Sequence, residues 1–139
     1  MNLIDTNCVT HIFESTSSCT ETYFLAPEIL DEITFTNQNL PKEFISIGNH
    51  HLFNEAIYID FYKKMLNKHE GKSFFNMTGL GDISILATIH TIVHMSSSHS
   101  DLFDSKDITV FTEDIRLIKK LKKEFLTSSV TLKRFKDIR

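Results

Sequence analysis

Four acidic residues from distant parts of the chain stand at positions suited to metal chemistry. Asp5, Asp82 and Asp114 each lie where the chain leaves a predicted strand or loop and enters a helix. Glu32 lies on a helix predicted to begin at Pro27. In an open α/β sheet such points gather at the carboxyl ends of the strands, where ligands bind. Carboxylates gathered there repel one another without a cation, so we predict a metal site formed by the three aspartates, with the glutamate nearby.

The nature of the expected ion follows from these ligands. An all-oxygen set without cysteine or histidine favours a hard cation, Mg²⁺ or Mn²⁺. His90 and His94 lie four residues apart on one predicted helix, but the glutamate of a zinc protease motif and a third ligand are missing, so we predict surface or packed histidines. Cys8 and Cys19 form no Cys-x-x-Cys motif, which predicts neither a zinc knuckle nor a disulfide scaffold.

Helical periodicity indicates which acids face the protein interior. Apolar residues recur at helical spacing after Asp82 and again after Asp114, and both acids share the buried stripe of their helix. The residues on these stripes are Leu86, Ile89 and Val93 in the first case and Leu117, Ile118, Leu121 and Phe125 in the second. Asp is also a favoured N-cap, which explains either acid taken singly but not the recurrence of the pattern.

The helix after Pro27 offers three candidates for the second acid. Glu32 borders the apolar side formed by Ile29, Leu30 and Ile33, and it is the best-placed acid of this helix. Glu28 and Asp31 point away from that side and remain alternatives.

The elements that must position these acids alternate between strands and helices. Strands are predicted over residues 3–5, 22–26, 44–47, 107–112 and 129–132, and helices over 27–33, 52–70, 82–95 and 114–126. Residues 44–47 are expected at a sheet edge, and residues 96–100 form a polar linker. This alternation predicts one domain over residues 1–139 with an α/β fold, a mainly parallel sheet covered by helices on both faces.

The charges of the chain are distributed unevenly. The net charge is -3, yet residues 1–114 carry 16 acidic and 6 basic residues, whereas residues 115–139 carry 9 basic and 2 acidic ones. A basic segment beside an acidic metal site is suited to phosphate contacts with a nucleic acid. The residues we assign to RNA binding are Arg116, Lys119, Lys120 and Lys123. The alternative is a solvated helix face.

Two further classes of protein are disfavoured by the sequence. No stretch approaches the roughly 20 apolar residues of a membrane-spanning helix, and the first residues are not those of a signal peptide, so we expect a cytoplasmic protein. Gly79-x-Gly81 lacks the third glycine and the preceding strand of a dinucleotide-binding motif.

Four segments together resemble the motifs of PIN-domain nucleases, in the same order along the chain. They are Leu3-Ile4-Asp5-Thr6-Asn7, Ala26-Pro27-Glu28-Ile29-Leu30-Asp31-Glu32-Ile33, Gly81-Asp82-Ile83-Ser84-Ile85-Leu86-Ala87 and Val110-Phe111-Thr112-Glu113-Asp114-Ile115-Arg116-Leu117. The resemblance implies a three-layer α/β/α sandwich and metal-dependent hydrolysis of RNA, with Asp5, Glu32, Asp82 and Asp114 as catalytic acids. Thr6, Asn7 and Thr112 are then expected to orient the carboxylates or water by hydrogen bonds.

Three functions are compatible with these patterns. The first is an endoribonuclease, either the toxin of a toxin-antitoxin pair, with an antitoxin protein as partner, or an RNA-processing enzyme. Small PIN domains often pair, which favours a homodimer. The second is a catalytically inactive PIN-like module that binds RNA or protein. The third, a phospho-acceptor signalling domain, would need paired N-terminal acids and an acceptor aspartate after its third strand, and neither is found.

Overall fold

The computed structural model describes residues 1–9, 22–36, 43–69, 81–98, 108–125 and 130–133. The strands are β1 (Asn2–Ile4), β2 (Tyr23–Leu25), β3 (Phe44–Ser46), β4 (Ile108–Phe111) and β5 (Val130–Lys133). The helices are α1 (Pro27–Thr36), α2 (Glu55–His69), α3 (Gly81–Ser98) and α4 (Ile115–Glu124). Residues 6–9 are helical directly after β1, and a 3-10 turn, Ile47–Asn49, follows β3.

The five strands form one sheet in the order β3-β2-β1-β4-β5, and every pairing between them is parallel. Leu3 of β1 is in register with Phe24 of β2 on one side and with Val110 of β4 on the other. The helices cover both faces, which confirms the three-layer α/β/α fold expected from the sequence. The strand order reverses direction between β1 and β4, and a parallel sheet opens its ligand-binding crevice at such a point.

Helix α3 forms the centre of the helical packing. Its Ile85, Leu86 and Ile89 are fully buried, and the helix packs against both α1 and α2. A helix that is apolar around most of its circumference has to be enclosed on several sides, which explains this central position. Helix α4 is amphipathic instead and buries Leu117 and Leu121.

A polar contact joins the ends of α2 and α4 to the middle of α3, away from the four candidate acids. Glu124 at the end of α4 accepts a hydrogen bond from Nζ of Lys68 on α2, and its Oε1 lies 3.0 Å from Nε2 of His90 on α3. The ring of His90 stacks on Phe61, with centroids 5.1 Å apart. His90 is therefore a packed histidine, as expected, rather than half of a zinc-binding pair.

The structure corrects two predicted boundaries. The polar linker predicted over residues 96–100 is wrong for residues 96–98, because α3 continues to Ser98 and Ser96 Oγ donates to the Val93 carbonyl within the last turns. Helix α2 begins at Glu55 rather than near residue 52, because the side chain of Asn54 accepts the Ile57 N–H.

Some expectations concern residues outside the described ranges. These are Cys19, Gly79, the predicted helix ends at residues 70 and 126, and the parts of the predicted linker and strands that fall at residues 99, 100, 107 and 129. Within the described part of the chain, none of the helices combines the length and the apolar character needed to cross a membrane.

Candidate active site

Asp5 lies at the reversal of the strand order, immediately after β1. Its backbone N–H donates to the Phe111 carbonyl at the end of β4, over 2.9 Å. Its side chain is 7% exposed and accepts two hydrogen bonds of 2.8 Å, from the Thr6 N–H to Oδ1 and from the Thr112 hydroxyl to Oδ2. The parallel pairing of β1 with β4 therefore brings together two segments that lie far apart in the sequence.

Asp114 is held at the same edge by Thr112 and by helix α4. The Asp114 N–H donates to Thr112 Oγ1 over 3.0 Å. Asp114 Oδ1 accepts the N–H groups of Arg116 at 2.9 Å and Leu117 at 3.4 Å, so this residue is the N-cap of α4. The capping interpretation is confirmed for Asp114, and the cap fixes its carboxylate at the reversal point.

Glu32 reaches the site from α1 through Thr6. The Thr6 hydroxyl donates to Glu32 Oε2 over 2.6 Å, and its backbone N–H donates to Asp5, so Thr6 links two of the predicted acids. Of the three candidates on this helix, only Glu32 makes such a link among the contacts found in the described ranges. Asp31 is exposed, and the backbone N–H of Glu28 donates to Ser84 Oγ instead.

Asp82 enters the site from the first turn of α3. Its Oδ2 is buried and accepts no hydrogen bond from any residue that the structure describes. Burial, together with the negative charges of Asp5, Asp114 and Glu32, raises the pKa of this carboxyl from 3.8 to about 7 against the opposing effect of Lys120. A carboxylate in this position is strongly disfavoured until a cation approaches it.

The same electrostatic coupling acts on Asp5. Burial raises its pKa, the hydrogen bonds from Thr112 and Thr6 lower it, and the charges of Asp114 and Glu32 raise it again. The four acids predicted from the sequence therefore share one electrostatic environment.

This environment is not yet a ligand shell. Among the described residues, no group of three or more histidine, cysteine or acidic side chains is close enough to hold a metal ion. Mutual repulsion keeps uncompensated carboxylates apart, and a cation removes that repulsion. The structure thus brings the four acids within electrostatic range of one another without gathering them into a ligand shell.

Lys120 lies at this site, although the sequence assigned it to the RNA-binding face. Its Nζ is buried, and the ammonium is attracted by both Asp82 and Asp114. Burial lowers its pKa against the opposing effect of those two acids. Arg116, Lys119 and Lys123 are exposed on the same helix. One signal was available in the sequence, because Lys120 follows Leu117 by three residues and so borders the buried stripe.

The remaining predicted residue, Asn7, connects the two sides of the reversal point. Its Oδ1 accepts the Glu113 N–H over 3.1 Å. This contact ties the turn after β1 to the turn after β4, a positioning role like those of Thr6 and Thr112.

Sequence reasoning missed a hydroxyl pair next to the site. Tyr58 Oη on α2 and Ser84 Oγ on α3 lie 2.8 Å apart, and Ser84 Oγ also accepts the Glu28 N–H at 3.2 Å. Ser84 is fully buried and only two residues beyond Asp82. These contacts join the first turns of α1, α2 and α3, and their signal in the sequence was a serine within the mostly apolar segment that forms α3.

Comparison with protein-family models, with curated proteins and with solved structures returned no match to this chain.

Proposed function

We propose that this protein is a divalent-metal-dependent endoribonuclease of the PIN-domain type. The observation that carries the proposal is the gathering of Asp5, Glu32, Asp82 and Asp114 at the reversal point of a parallel sheet. Each acid comes from a different segment of the chain, and Asp82 and Asp5 are each coupled electrostatically to the other acids. A fold does not need four coupled acids for its stability, because their repulsion is destabilising, and this cost favours a functional role.

The residues present fit Mg²⁺ or Mn²⁺. Asp5, Asp82 and Asp114 would hold the ion, with Glu32 nearby, and the buried Asp82 Oδ2, which has no hydrogen-bond partner among the described residues, is an oxygen that a cation would satisfy. Carboxylate oxygens are the preferred ligands of both ions. The bound ion would supply activation of a water molecule and neutralisation of the charge that develops on a phosphodiester during in-line displacement.

The chain's own side chains would fix the orientation of the acids. Thr112 and Thr6 hold the two oxygens of Asp5, and Thr6 also holds Glu32. Bonds of this kind restrict the rotation of a carboxylate and stabilise its charged form. Asp82 would carry a proton near neutral pH in the metal-free protein and release it when the cation binds.

RNA would be held by the exposed cations of α4. Arg116, Lys119 and Lys123 lie on the helix that Asp114 caps, so a phosphate backbone bound along this helix passes the acidic site. The toxin role with an antitoxin partner, the alternative role in RNA processing and the homodimer stay predictions from the sequence.

The test is cleavage of a mixed RNA pool with Mg²⁺ or Mn²⁺, with and without a chelator. We expect cutting by the natural protein, no cutting with chelator, and at least a hundredfold loss of rate in Asp5→Asn and Asp82→Asn. Asp60→Asn, which changes an exposed acid on α2, is the matched control and should retain the natural rate. Circular dichroism verifies folding of each variant.

Two outcomes would overturn the proposal. Cutting that persists in both site variants would assign the activity to another centre. RNA binding without any cutting, in the presence of either ion, would instead favour a catalytically inactive RNA-binding module.

A further inference from the structure

A cavity opens at the same edge of the sheet as the acidic site, two strands away from Asp5. It has a volume of about 360 Å³, within the range of roughly 300–1,000 Å³ that is usual for small-molecule sites. Pro27 after β2, Ser46 and Gly48 at the end of β3, and Phe53, Glu55 and Tyr58 around the start of α2 line it. Adjacent strands lie about 4.8 Å apart, so the end of β3 is about 10 Å from the end of β1.

The walls of this cavity are suited to a flat ring. Phe53 and Tyr58 lie with their ring centroids 5.3 Å apart, and the pyrrolidine of Pro27 adds a further apolar surface. Ile59, which is 43% exposed, extends this surface toward solvent. Aromatic side chains that line a cleft are the usual partners of unpaired nucleobases in single-stranded RNA.

Hydrogen bonds connect the cavity wall to the first turn of α3, the turn that carries Asp82. Tyr58 in its wall contacts Ser84 through the two hydroxyl groups, and Ser84 lies two residues after Asp82. Ser84 also accepts the N–H of Glu28, which follows Pro27 in the cavity wall. The wall of the cavity and the first turn of α3, which carries Asp82, thus belong to one packed unit. Adjacent nucleotides of a bound strand can span the distance between the cavity and the acidic site.

The polar groups of the cavity decide which part of RNA it accepts. Glu55, exposed at its mouth, carries a carboxylate that only accepts hydrogen bonds and repels phosphate. A ligand for this cavity therefore presents N–H donors beside a flat apolar ring. Among the RNA bases, guanine alone presents two adjacent donors, N1–H and the N2 amino group, which match the two oxygens of a carboxylate.

We propose that this cavity binds a guanine base of the RNA near the linkage that is cut, stacked on the aromatic wall and hydrogen-bonded to Glu55. The inference rests on the proposed ribonuclease function and adds a base preference to it. The backbone would remain outside the cavity and continue past the acidic site toward the exposed cations of α4.

The first experiment maps cut positions in a random RNA pool. We expect the natural protein to cut at a fixed offset from guanine, and Glu55→Gln to reduce the ratio of cuts beside guanine to cuts beside the other bases at least fivefold. Asp60→Asn removes an exposed acid from the same helix outside the cavity and should keep the full preference. Cutting without base preference, or equal preference in all three proteins, overturns the proposal.

The second experiment separates this proposal from the nuclease proposal. Guanosine, adenosine, cytidine and uridine monophosphates are titrated into ¹⁵N-labelled protein in the presence of chelator, so no metal or cleavage is involved. We expect guanosine monophosphate to bind at least fivefold more tightly than uridine monophosphate. Its binding should change the amide chemical shifts of Gly48 and Ile59, and Glu55→Gln should abolish these changes. If guanosine monophosphate binds in this way but no RNA is cut, the cavity assignment stands and the nuclease proposal is wrong. If RNA is cut but no nucleotide shifts these amides, the cavity assignment fails alone.

Discussion

Thr112 Oγ1 donates a 2.8 Å hydrogen bond to Oδ2 of Asp5, although the two residues are 107 positions apart in the chain. The same hydroxyl oxygen accepts the N–H of Asp114. The hydroxyl of one buried threonine therefore positions two of the acids. It contacts the side chain of Asp5 and the backbone N–H of Asp114. It can do so only because β1 and β4 are neighbours in the sheet.

Thr112→Val is expected to weaken metal binding without unfolding the protein. Valine has the shape of threonine but leaves Asp5 Oδ2 without its donor, so the orientation of that carboxylate is lost. Removing such a partner of a metal ligand typically reduces affinity about 10- to 100-fold. Calorimetric titration with Mn²⁺ measures the change. Thr109→Val, which changes a threonine of β4 three residues before Thr112, is the control, and equal affinities for the two variants would contradict the positioning role.

The pH dependence of stability should show the raised pKa of Asp82. Its folded-state pKa of about 7 lies above the ordinary 3.8, so the folded protein binds the proton more tightly than the unfolded chain does. Stability of the metal-free protein is then lost as pH rises from about 4 to about 7. Asp82→Asn removes this cost and should stabilise the protein above pH 7 by on the order of 1–3 kcal/mol.

Urea unfolding in chelator at several pH values tests this expectation. The difference between Asp82→Asn and the natural protein should shrink as pH falls and disappear below the ordinary pKa of 3.8, where the Asp82 carboxyl is protonated in both the folded and the unfolded state. Addition of Mn²⁺ should reduce the pH dependence of the unfolding free energy in the natural protein but not in Asp82→Asn. A variant that is less stable at every pH would show that Asp82 contributes a favourable contact instead.

Lys120→Gln is expected to tighten the binding of a divalent cation. The buried ammonium of Lys120 is attracted by Asp82 and Asp114 and opposes the approach of a second cation. Its removal should increase Mn²⁺ affinity about tenfold at pH 8. Lys119→Gln removes an exposed charge one position away and should change the affinity less than twofold. Weaker binding in Lys120→Gln would show that the lysine instead holds the acids in place.

Gly81→Ala should perturb the site although alanine favours helix. A Cβ at this position would lie 2.8 Å from Ile29 Cδ1 and 3.3 Å from Glu32 Oε1, so both side chains must shift. We expect a loss of about 1 kcal/mol in unfolding free energy and weaker Mn²⁺ binding. Adding Ile29→Val removes the clashing methyl and should restore most of the stability. Gly48→Ala, whose nearest atom is Ser46 Oγ at 3.4 Å, is the control.

Much of the fold could be predicted from the sequence because its signals are local. The apolar runs before Asp5 and Asp114 indicated β1 and β4, and helical spacing indicated α3 and α4. Boundaries failed where side chains acted on the backbone, as Asn54 does at the start of α2 and Ser96 does near the end of α3. The spacing of apolar residues does not predict single hydrogen bonds of this kind.

The candidate site could be predicted less completely. The positions of Asp5, Asp82 and Asp114 at the starts of helices followed from local patterns, and the border position of Glu32 followed from the helical wheel. The inward position of Lys120 did not, because a lysine beside an apolar stripe can equally extend to solvent. The contact between Tyr58 and Ser84 depends on how α2 packs on α3, which neither helix determines alone.

By itself, the sequence determined which segments become strands and helices and which acids stand at their ends, since hydrophobic period and capping act within a few residues. Only the tertiary structure decided that β1 lies between β2 and β4, and hence that Asp5 meets Thr112 and senses Asp82 and Asp114. The pairing of strands far apart in the chain is chosen by the burial of the whole core. For this reason the charge environment of the acids became visible only in the folded molecule.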